Sequence, residues 1–88
     1  MNNIDLTKAV FTVKGIVYDS KSILYVIHDT DDEWQFLSGD NVSMEDMIIV
    51  PWKEIIRIDP SISSLNLEMG YEAFRVTQSS NWAIRKVE

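Results

Sequence analysis

An unbroken apolar run followed by an acidic turn constrains the fold of this chain more than any other feature. Residues 23–27, ILYVI, carry no polar alternation, which predicts a central strand covered on both faces. Residues 29–32 form the turn, because Asp side chains readily hydrogen-bond to their own backbone. Residues 33–37 return as an amphipathic strand, with Trp34 and Phe36 on the face that we expect to meet the helices. The segment therefore predicts a β-hairpin near the middle of a sheet.

Turn residues and prolines divide the rest of the chain into short strands and short helices. Pro51 and Pro60 each suit the first position of a helix, and Asp59 is a favoured cap before the second helix. Ser43 opens a weaker capping pattern that suggests one helical turn. The predicted strands are residues 10–13 and 16–18 with a bend at Gly15, 23–27, 33–37, 71–77 and 82–87, with 47–50 as a strand or a connector. The second predicted helix is residues 60–65; residues 51–58 are predicted as a helix from Pro51, although their Ile-rich composition leaves a strand open as the alternative.

The segregation of strands from helices predicts an α+β fold, with a mainly antiparallel sheet of about five short strands and two short helices packed on one side. The 88 residues are expected to form one domain, residues 1–88, and their 45% hydrophobic content is that of an ordinary globular protein. The absence of cysteine excludes a disulfide framework and a cysteine-based zinc site. We expect a cytoplasmic location, because the first residues do not resemble a secretion signal and no apolar run is long enough to span a bilayer. The oligomeric state is left open, although an exposed edge of the final hairpin would allow a dimer.

The acidic residues are concentrated in one stretch of the sequence. Seven of the fourteen lie between Asp29 and Asp46, where there is no Lys or Arg, and the net charge of the chain is −6. This charge argues against binding of nucleic acid or of an anionic membrane, because both favour basic surfaces. It favours a basic protein partner, although ordinary solubility is the simpler explanation.

The residues that we predict to bind such a partner lie in the hairpin and just after it. The carboxylates are expected to steer the encounter and to pair with Lys or Arg, and the hairpin Trp would anchor the contact if it is exposed. The predicted partner-binding residues are Asp29, Asp31, Asp32, Glu33, Trp34 and Asp40.

His28 and the neighbouring acids lack the pattern of a metal or catalytic site. A calcium loop that began at Asp29 would require Gly at its sixth place and Glu at its twelfth, where this chain has Trp34 and Asp40. His28 is the only histidine and hence the only ready general base, but no nucleophile motif, phosphate-binding glycine loop or paired-acid motif accompanies it. We therefore expect no metal, no cofactor and no enzymatic activity.

Aromatic and basic residues predict two further surfaces. A pocket between the sheet and the helices, lined by Trp34, Trp52 and Tyr71, would bind a small ligand in a regulatory domain, which is the alternative function. Trp82 follows a turn and is expected to be half exposed. If the strands of the final hairpin pair, a modest basic patch is expected across it, formed by Arg75, Arg85 and Lys86. The alternative interpretation is a salt-bridged face of the sheet in which these residues balance Glu72.

A series of short landmarks occurs in order along about half of the chain. They are the acidic turn into aromatic-x-Phe at residues 31–36, Gly39-Asp40, Asp59-Pro60-x-Ile62 with Leu65, Gly70, and Phe74-Arg75. In this order they resemble a family of small bacterial domains of unknown function, part of which is classed with polymorphic-toxin immunity proteins. The hairpin of that family usually carries a Ser-Gly pair before its Trp, where this chain has Asp32-Glu33. The resemblance implies a non-enzymatic immunity-type protein that occludes a basic toxin surface, with no established catalytic residues to transfer.

Overall fold

A six-stranded mixed β-sheet forms the body of the protein, in a computed structural model that describes residues 5–87. The strands are β1 (Ala9–Val13), β2 (Tyr25–His28), β3 (Trp34–Leu37), β4 (Met47–Pro51), β5 (Tyr71–Phe74) and β6 (Ala83–Lys86). Their order across the sheet is β4-β1-β3-β2-β5-β6, in which β1 and β3 are parallel and every other neighbouring pair is antiparallel. The β2–β3 hairpin therefore lies at the centre of the sheet, as its sequence predicts.

Short helical segments connect these strands. They are the α-helices α1 (Lys14–Tyr18) and α2 (Trp52–Ile58) and the 3₁₀ turns Met44–Asp46 and Pro60–Ser64. α2 begins directly after Pro51, and the second 3₁₀ turn begins at Pro60, where Asp59 Oδ1 accepts a hydrogen bond from Ser61 N at 3.1 Å. The helix start predicted at Pro60 is thus confirmed. The segment after Pro51 is a helix and not a strand, but Pro51 itself is extended, with ψ of 152°, and ends β4 one position before the helix. Across residues 5–87, no helix combines the length and the apolar character that crossing a membrane requires.

The predicted α+β class is confirmed, but the sheet has six strands and is mixed. Residues 38–46 carry the chain from β3 past the end of β1 to β4, so β1 lies between these two strands and runs parallel to β3. The strand predicted over residues 16–18 is wrong, because this segment belongs to α1. Asp19 N donates to Gly15 O at 3.1 Å, and the Ile16 side chain is only 1% exposed in the core.

The core lies between one face of the sheet and α2 with the 3₁₀ turn after it. Trp52 from α2 packs on both β3 aromatics, with ring centroids 4.9 Å from those of Trp34 and Phe36. The prediction that these β3 side chains face the helices is therefore confirmed. The other buried apolar side chains are Val10, Val13, Ile16, Ile23, Val26, Ile55, Ile62, Leu65, Leu67 and Ala73.

Within the described part of the chain, the opposite face of the sheet is left partly open, so the prediction that the central strand is covered on both faces is wrong. Tyr25 and Ile27 of β2 point to this open face and are only partly buried. On other strands of the same face, the exposed fractions reach 63% for Ile49 and 40% for Phe74. A continuous apolar run cannot by itself distinguish a strand covered on two faces from one covered on a single face.

Candidate functional site: the acidic turn

The turn between β2 and β3, residues 29–33, is held together by the side chain of its first residue, and we call it the acidic turn. Asp29 Oδ1 accepts hydrogen bonds from the backbone amides of Asp31 at 2.8 Å and Glu33 at 3.1 Å. The Asp29 amide also donates to Glu33 O at 3.0 Å, which closes the hairpin. The Asp29 side chain thus has the structural role that its residue type predicts in a turn.

Asp32 fastens the acidic turn to the rest of the sheet. Its backbone has φ of 63°, a left-handed conformation that Asp tolerates better than most residues. Its carboxylate lies 2.6 Å from His28 Nε2 and accepts from Lys8 Nζ at 3.0 Å, while Lys8 also donates to its carbonyl oxygen at 2.7 Å. The hydrogen bond with His28, followed by that from Lys8, holds the pKa of the Asp32 carboxyl below its ordinary value.

His28 lies beneath the acidic turn and is 7% exposed. Its ring stacks on Trp34, with centroids 3.9 Å apart and planes 14° from parallel. Nδ1 lies 2.7 Å from Leu67 O, and because a carbonyl only accepts, this nitrogen carries a hydrogen and donates it. Both ring nitrogens are therefore engaged, Nδ1 with Leu67 and Nε2 with Asp32, so His28 joins the acidic turn to the loop before β5. This geometry gives the histidine a structural role and leaves it poorly placed to accept a proton from a substrate.

Trp34 does not provide an exposed anchor. It is 5% exposed, because the alternation of β3 directs it toward the helices, between His28 and Trp52. The condition under which it was predicted to contact a partner is not met. Its position in the core instead supports the acidic turn from below.

Asp31 and Glu33 are the carboxylates of the acidic turn that face solvent without a counter-ion. Both residues are exposed, and among residues 5–87 neither side chain forms an ion pair or a hydrogen bond. Their backbone amides are nevertheless fixed by Asp29, so the two carboxylates project from a defined turn. They are the acids of the hairpin most available to a partner.

The acids that are close in sequence lie at two ends of the sheet. Asp40 follows β3, whereas the acidic turn precedes it, and a four-residue strand separates its ends by about 13 Å. Asp40 pairs with Lys21 at 2.5 Å, and the hydrogen bond and charge of this lysine hold the pKa of the Asp40 carboxyl below its ordinary value. Asp40 therefore does not share a surface with the acidic turn, although sequence proximity suggests that it does.

The stability that the acidic turn contributes to the protein should depend on the ionisation of Asp32. We expect Asp32→Asn to lower the stability of the protein near neutral pH, because Asn keeps the left-handed backbone but forfeits the charge that faces His28 and Lys8. A carboxyl whose pKa is depressed in the folded state contributes stability above its unfolded pKa, about 4, and loses that contribution as the pH falls through the lower folded pKa. Urea denaturation should therefore show a difference in midpoint between the two proteins that shrinks from about pH 6 to about pH 3. A difference that stays constant or grows as the pH falls would contradict this role.

Within residues 5–87, the predicted ligand pocket between the sheet and the helices does not form. Trp34 and Trp52 fill that space by packing on each other, and Trp52 is 1% exposed. A cavity of about 290 Å³ lies elsewhere, between α1 and the end of α2. Its lining includes the polar side chains of Ser20, Ser22 and Gln78.

The predicted basic patch also does not form, because Arg75 is buried. Its side chain is 2% exposed, and Nη2 lies 2.6 Å from Asp59 Oδ2. Arg85 instead pairs with Glu72 on the open face, as the alternative interpretation of this hairpin predicts. Trp82 is partly buried and stacks with the Arg75 guanidinium, whose carbon lies 4.1 Å from the ring centroid. The Asp59–Arg75 pair was missed because the capping signal at Asp59 explains that residue without a distant partner.

No group of three or more His, Cys, Asp or Glu residues within the described part of the chain is arranged to hold a metal ion. The acidic turn offers exposed carboxylates on a fixed backbone, and such groups bind cationic groups.

No protein-family model matches the chain, and searches of curated proteins and of solved structures found no significant match.

Proposed function

We propose that this protein is a non-enzymatic protein-binding module of the immunity type, which uses the acidic turn to bind a basic surface of a partner. The observation that carries the proposal is the arrangement of Asp31 and Glu33, two exposed carboxylates without counter-ions on a turn that other acids hold in place. A partner would present Lys or Arg side chains to them.

The fixed conformation of the acidic turn supports this function, because a preorganised surface loses little conformational freedom when it binds. Asp29 fixes the turn internally, while Lys8 and His28 fix it from outside through Asp32. The four acids of the turn therefore have two roles. Asp29 and Asp32 maintain its conformation, and Asp31 and Glu33 remain available to contact a partner.

The overall charge supports the same function. At −6 the chain attracts a basic protein from a distance, which raises the rate of association more than it lowers the rate of dissociation. The landmarks that resemble immunity proteins suggest a toxin as the basic partner. His28 and Trp34 stack on each other beneath the turn and are buried, so the exposed surface of the turn consists of its carboxylates and Thr30.

A charge reversal confined to the acidic turn tests this function. We expect the double variant Asp31→Lys/Glu33→Lys to keep its fold, because neither side chain has a partner in the described part of the chain, and to associate with the partner about tenfold more slowly at low salt. The natural protein would be used to capture a basic partner from a lysate of the cells that make it. Association rates of the purified pair would then be measured by surface plasmon resonance at two salt concentrations.

The matched control reverses the same number of charges at the other end of the sheet. Asp19 and Asp46 are both exposed and lie away from the acidic turn, Asp19 directly after α1 and Asp46 at the end of the first 3₁₀ turn. Each reversal adds two charges, so Asp19→Lys/Asp46→Lys and the acidic-turn variant both change the net charge from −6 to −2. Equal slowing of association by both variants would show that only the net charge matters and would contradict a specific role of the acidic turn.

A further inference from the structure

His28 joins two segments of the chain through groups that only accept hydrogen bonds. Its Nδ1 lies 2.7 Å from Leu67 O, in the loop before β5, and its Nε2 lies 2.6 Å from Asp32 Oδ1, in the acidic turn. A carbonyl oxygen and an ionised carboxylate are both acceptors. The ring therefore satisfies both contacts only when each nitrogen carries a hydrogen, which is the positively charged imidazolium.

Asp32 is the ionised partner in this pair. Lys8 Nζ donates to its other carboxylate oxygen at 3.0 Å, and the hydrogen bonds with His28 and Lys8 hold the pKa of the Asp32 carboxyl below its ordinary value. A proton on Asp32 therefore does not replace the one on His28 Nε2 near neutral pH. The positive charge of the ring is also favoured by Trp34, on whose face it stacks with ring centroids 3.9 Å apart.

The other titratable groups around His28 take no part in these bonds. Tyr71 of β5 lies directly opposite His28 in the ladder, and Lys86 of β6 lies opposite Tyr71. Glu68 lies in the loop before β5 and is exposed, and the other three carboxylates of the acidic turn bind its own amides or face solvent. Within residues 5–87, the only side-chain hydrogen bonds of His28 are the two that join it to that loop and to Asp32.

Loss of the proton from the imidazolium leaves one hydrogen for two acceptors. The bond to Leu67 O is buried, and a buried carbonyl that loses its donor is costly, so the remaining hydrogen stays on Nδ1. The bare Nε2 of His28 then faces the ionised Asp32 carboxylate, and two acceptors 2.6 Å apart repel each other. The Asp32 side chain is 56% exposed, so its carboxylate can turn to water instead.

We propose that His28 and Asp32 form a pH-sensitive switch in the β2–β3 hairpin. While His28 is protonated, it holds the acidic turn to the loop before β5. As the pH rises through the range in which histidine loses its charge, about pH 5–8, Asp32 is released from the ring and the acidic turn loosens. Lys8 and Asp29 keep the turn formed, so the change stays local.

The consequence of this switch for binding rests on the proposed function. Asp31 and Glu33 project from the turn that the switch controls, so a basic partner should bind more tightly when His28 is protonated. The switch itself is a property of the chain alone and is tested without a partner. Its failure would leave the binding test of the two carboxylates unaffected, so the two results are distinguishable.

NMR spectroscopy can follow the switch directly, because His28 is the only histidine in the chain. Long-range ¹H–¹⁵N spectra of the natural protein would be recorded from about pH 5 to about pH 9, which spans the titration of histidine. We expect hydrogens on both ring nitrogens at the acidic end and on Nδ1 alone at the alkaline end. The backbone amides of residues 31–33 should shift with the same midpoint as the ring.

Asp32→Asn distinguishes the switch from a merely structural contact. Asn removes the charge and can donate from its amide to the neutral Nε2, so the ring should lose its proton at a midpoint about one pH unit lower, and the turn amides should no longer shift with it. Asp31→Asn is the matched control, because it removes the same charge from the same turn at a side chain that does not contact His28, and it should leave the midpoint nearly unchanged. Circular dichroism of both variants verifies that they remain folded.

Three outcomes would each overturn the proposal. The first is a ring that keeps a single hydrogen over the whole pH range, and the second is a set of turn amides that do not shift with the ring. The third is an equal displacement of the midpoint by Asp32→Asn and Asp31→Asn, which would show that only the net charge of the turn matters.

Discussion

Trp52→Ala is expected to lower the free energy of unfolding by about 3–5 kcal/mol, which is a large share of the roughly 5–15 kcal/mol that stabilises a typical domain. Trp52 is 1% exposed and fills the space between α2 and β3, where its ring contacts Trp34 and Phe36. Removal of the indole would leave a cavity that these aromatic neighbours close only in part. Urea denaturation followed by circular dichroism measures the loss.

Trp52→Phe is the informative control for this substitution. Trp52 Nε1 is buried and has no hydrogen-bond partner among the described residues, and an unpaired buried donor costs about 1–3 kcal/mol. Phe removes this donor while it keeps an aromatic ring in the core, so its loss of stability should be much smaller than that of Ala. Equal losses for Phe and Ala would contradict the stabilising role assigned to the packing of an aromatic ring at this position.

Arg75→Ala should be comparably destabilising, at about 3–5 kcal/mol, because it leaves the Asp59 carboxylate buried without its cation. The Arg75 guanidinium also donates to Ile23 O from Nε at 3.0 Å and from Nη2 at 2.8 Å, and to Gln78 O from Nη1 at 3.0 Å. This side chain, directly after β5, thus joins the segment before β2, the loop before β6 and Asp59 after α2. Urea denaturation near neutral pH measures the effect.

Arg57→Ala is the matched control for Arg75. Arg57 pairs with Glu54 on the surface of α2, and its side chain is 68% exposed, so its loss should cost far less stability than the loss of Arg75. Similar losses of stability for Arg75→Ala and Arg57→Ala would contradict the expectation that the buried ion pair contributes more than the exposed one. Asp59 should couple to Arg75, so Asp59→Asn/Arg75→Ala is expected to lose less stability than the sum of the two single variants.

The Asp59–Arg75 pair also predicts sensitivity to acid. Burial raises the pKa of Asp59, but hydrogen bonds from Ser61 and Arg75 outweigh burial and hold the pKa below its ordinary value. The stabilisation is therefore present above the unfolded pKa, about 4, and is lost as the pH falls through the folded value. A fall in pH should therefore weaken both the buried Asp59–Arg75 pair and the exposed contacts of Asp32.

Local patterns in the sequence predict the elements whose ends are set by neighbouring residues. Pro60 marks a helix start because proline supplies the φ of a first helical turn and has no N–H to leave unpaired, whereas Pro51 is the extended last residue of β4, directly before α2. The β2–β3 hairpin follows in the same way from an apolar run, a turn rich in Asp and an alternating strand. The segment at residues 16–18 was misassigned because its apolar residues suit a strand as well as a short buried helix.

The candidate site is only partly predictable from the sequence. The identity of Asp29 as a turn residue is local, but the roles of the other acids depend on cations that come from elsewhere in the chain. Lys8 lies 24 residues before Asp32, and Lys21 lies 19 residues before Asp40. Each lysine pairs with one of the carboxylates that, from the sequence alone, are predicted to bind a partner. These pairs form because β1 lies beside β3 and α1 lies near the end of β3, arrangements that the sheet topology sets.

By itself, the sequence determined the α+β class, the central hairpin, the helix starts and the acidic character of the chain. Each of these depends on residue types within a few positions of one another, so the local conformational preferences of those residues are enough to predict it. Only the tertiary structure decided the parallel pairing of β1 with β3, the burial of Arg75 against Asp59, and which carboxylates of the acidic turn stay free. These depend on contacts between residues far apart in sequence, which form only when the sheet as a whole buries its apolar face.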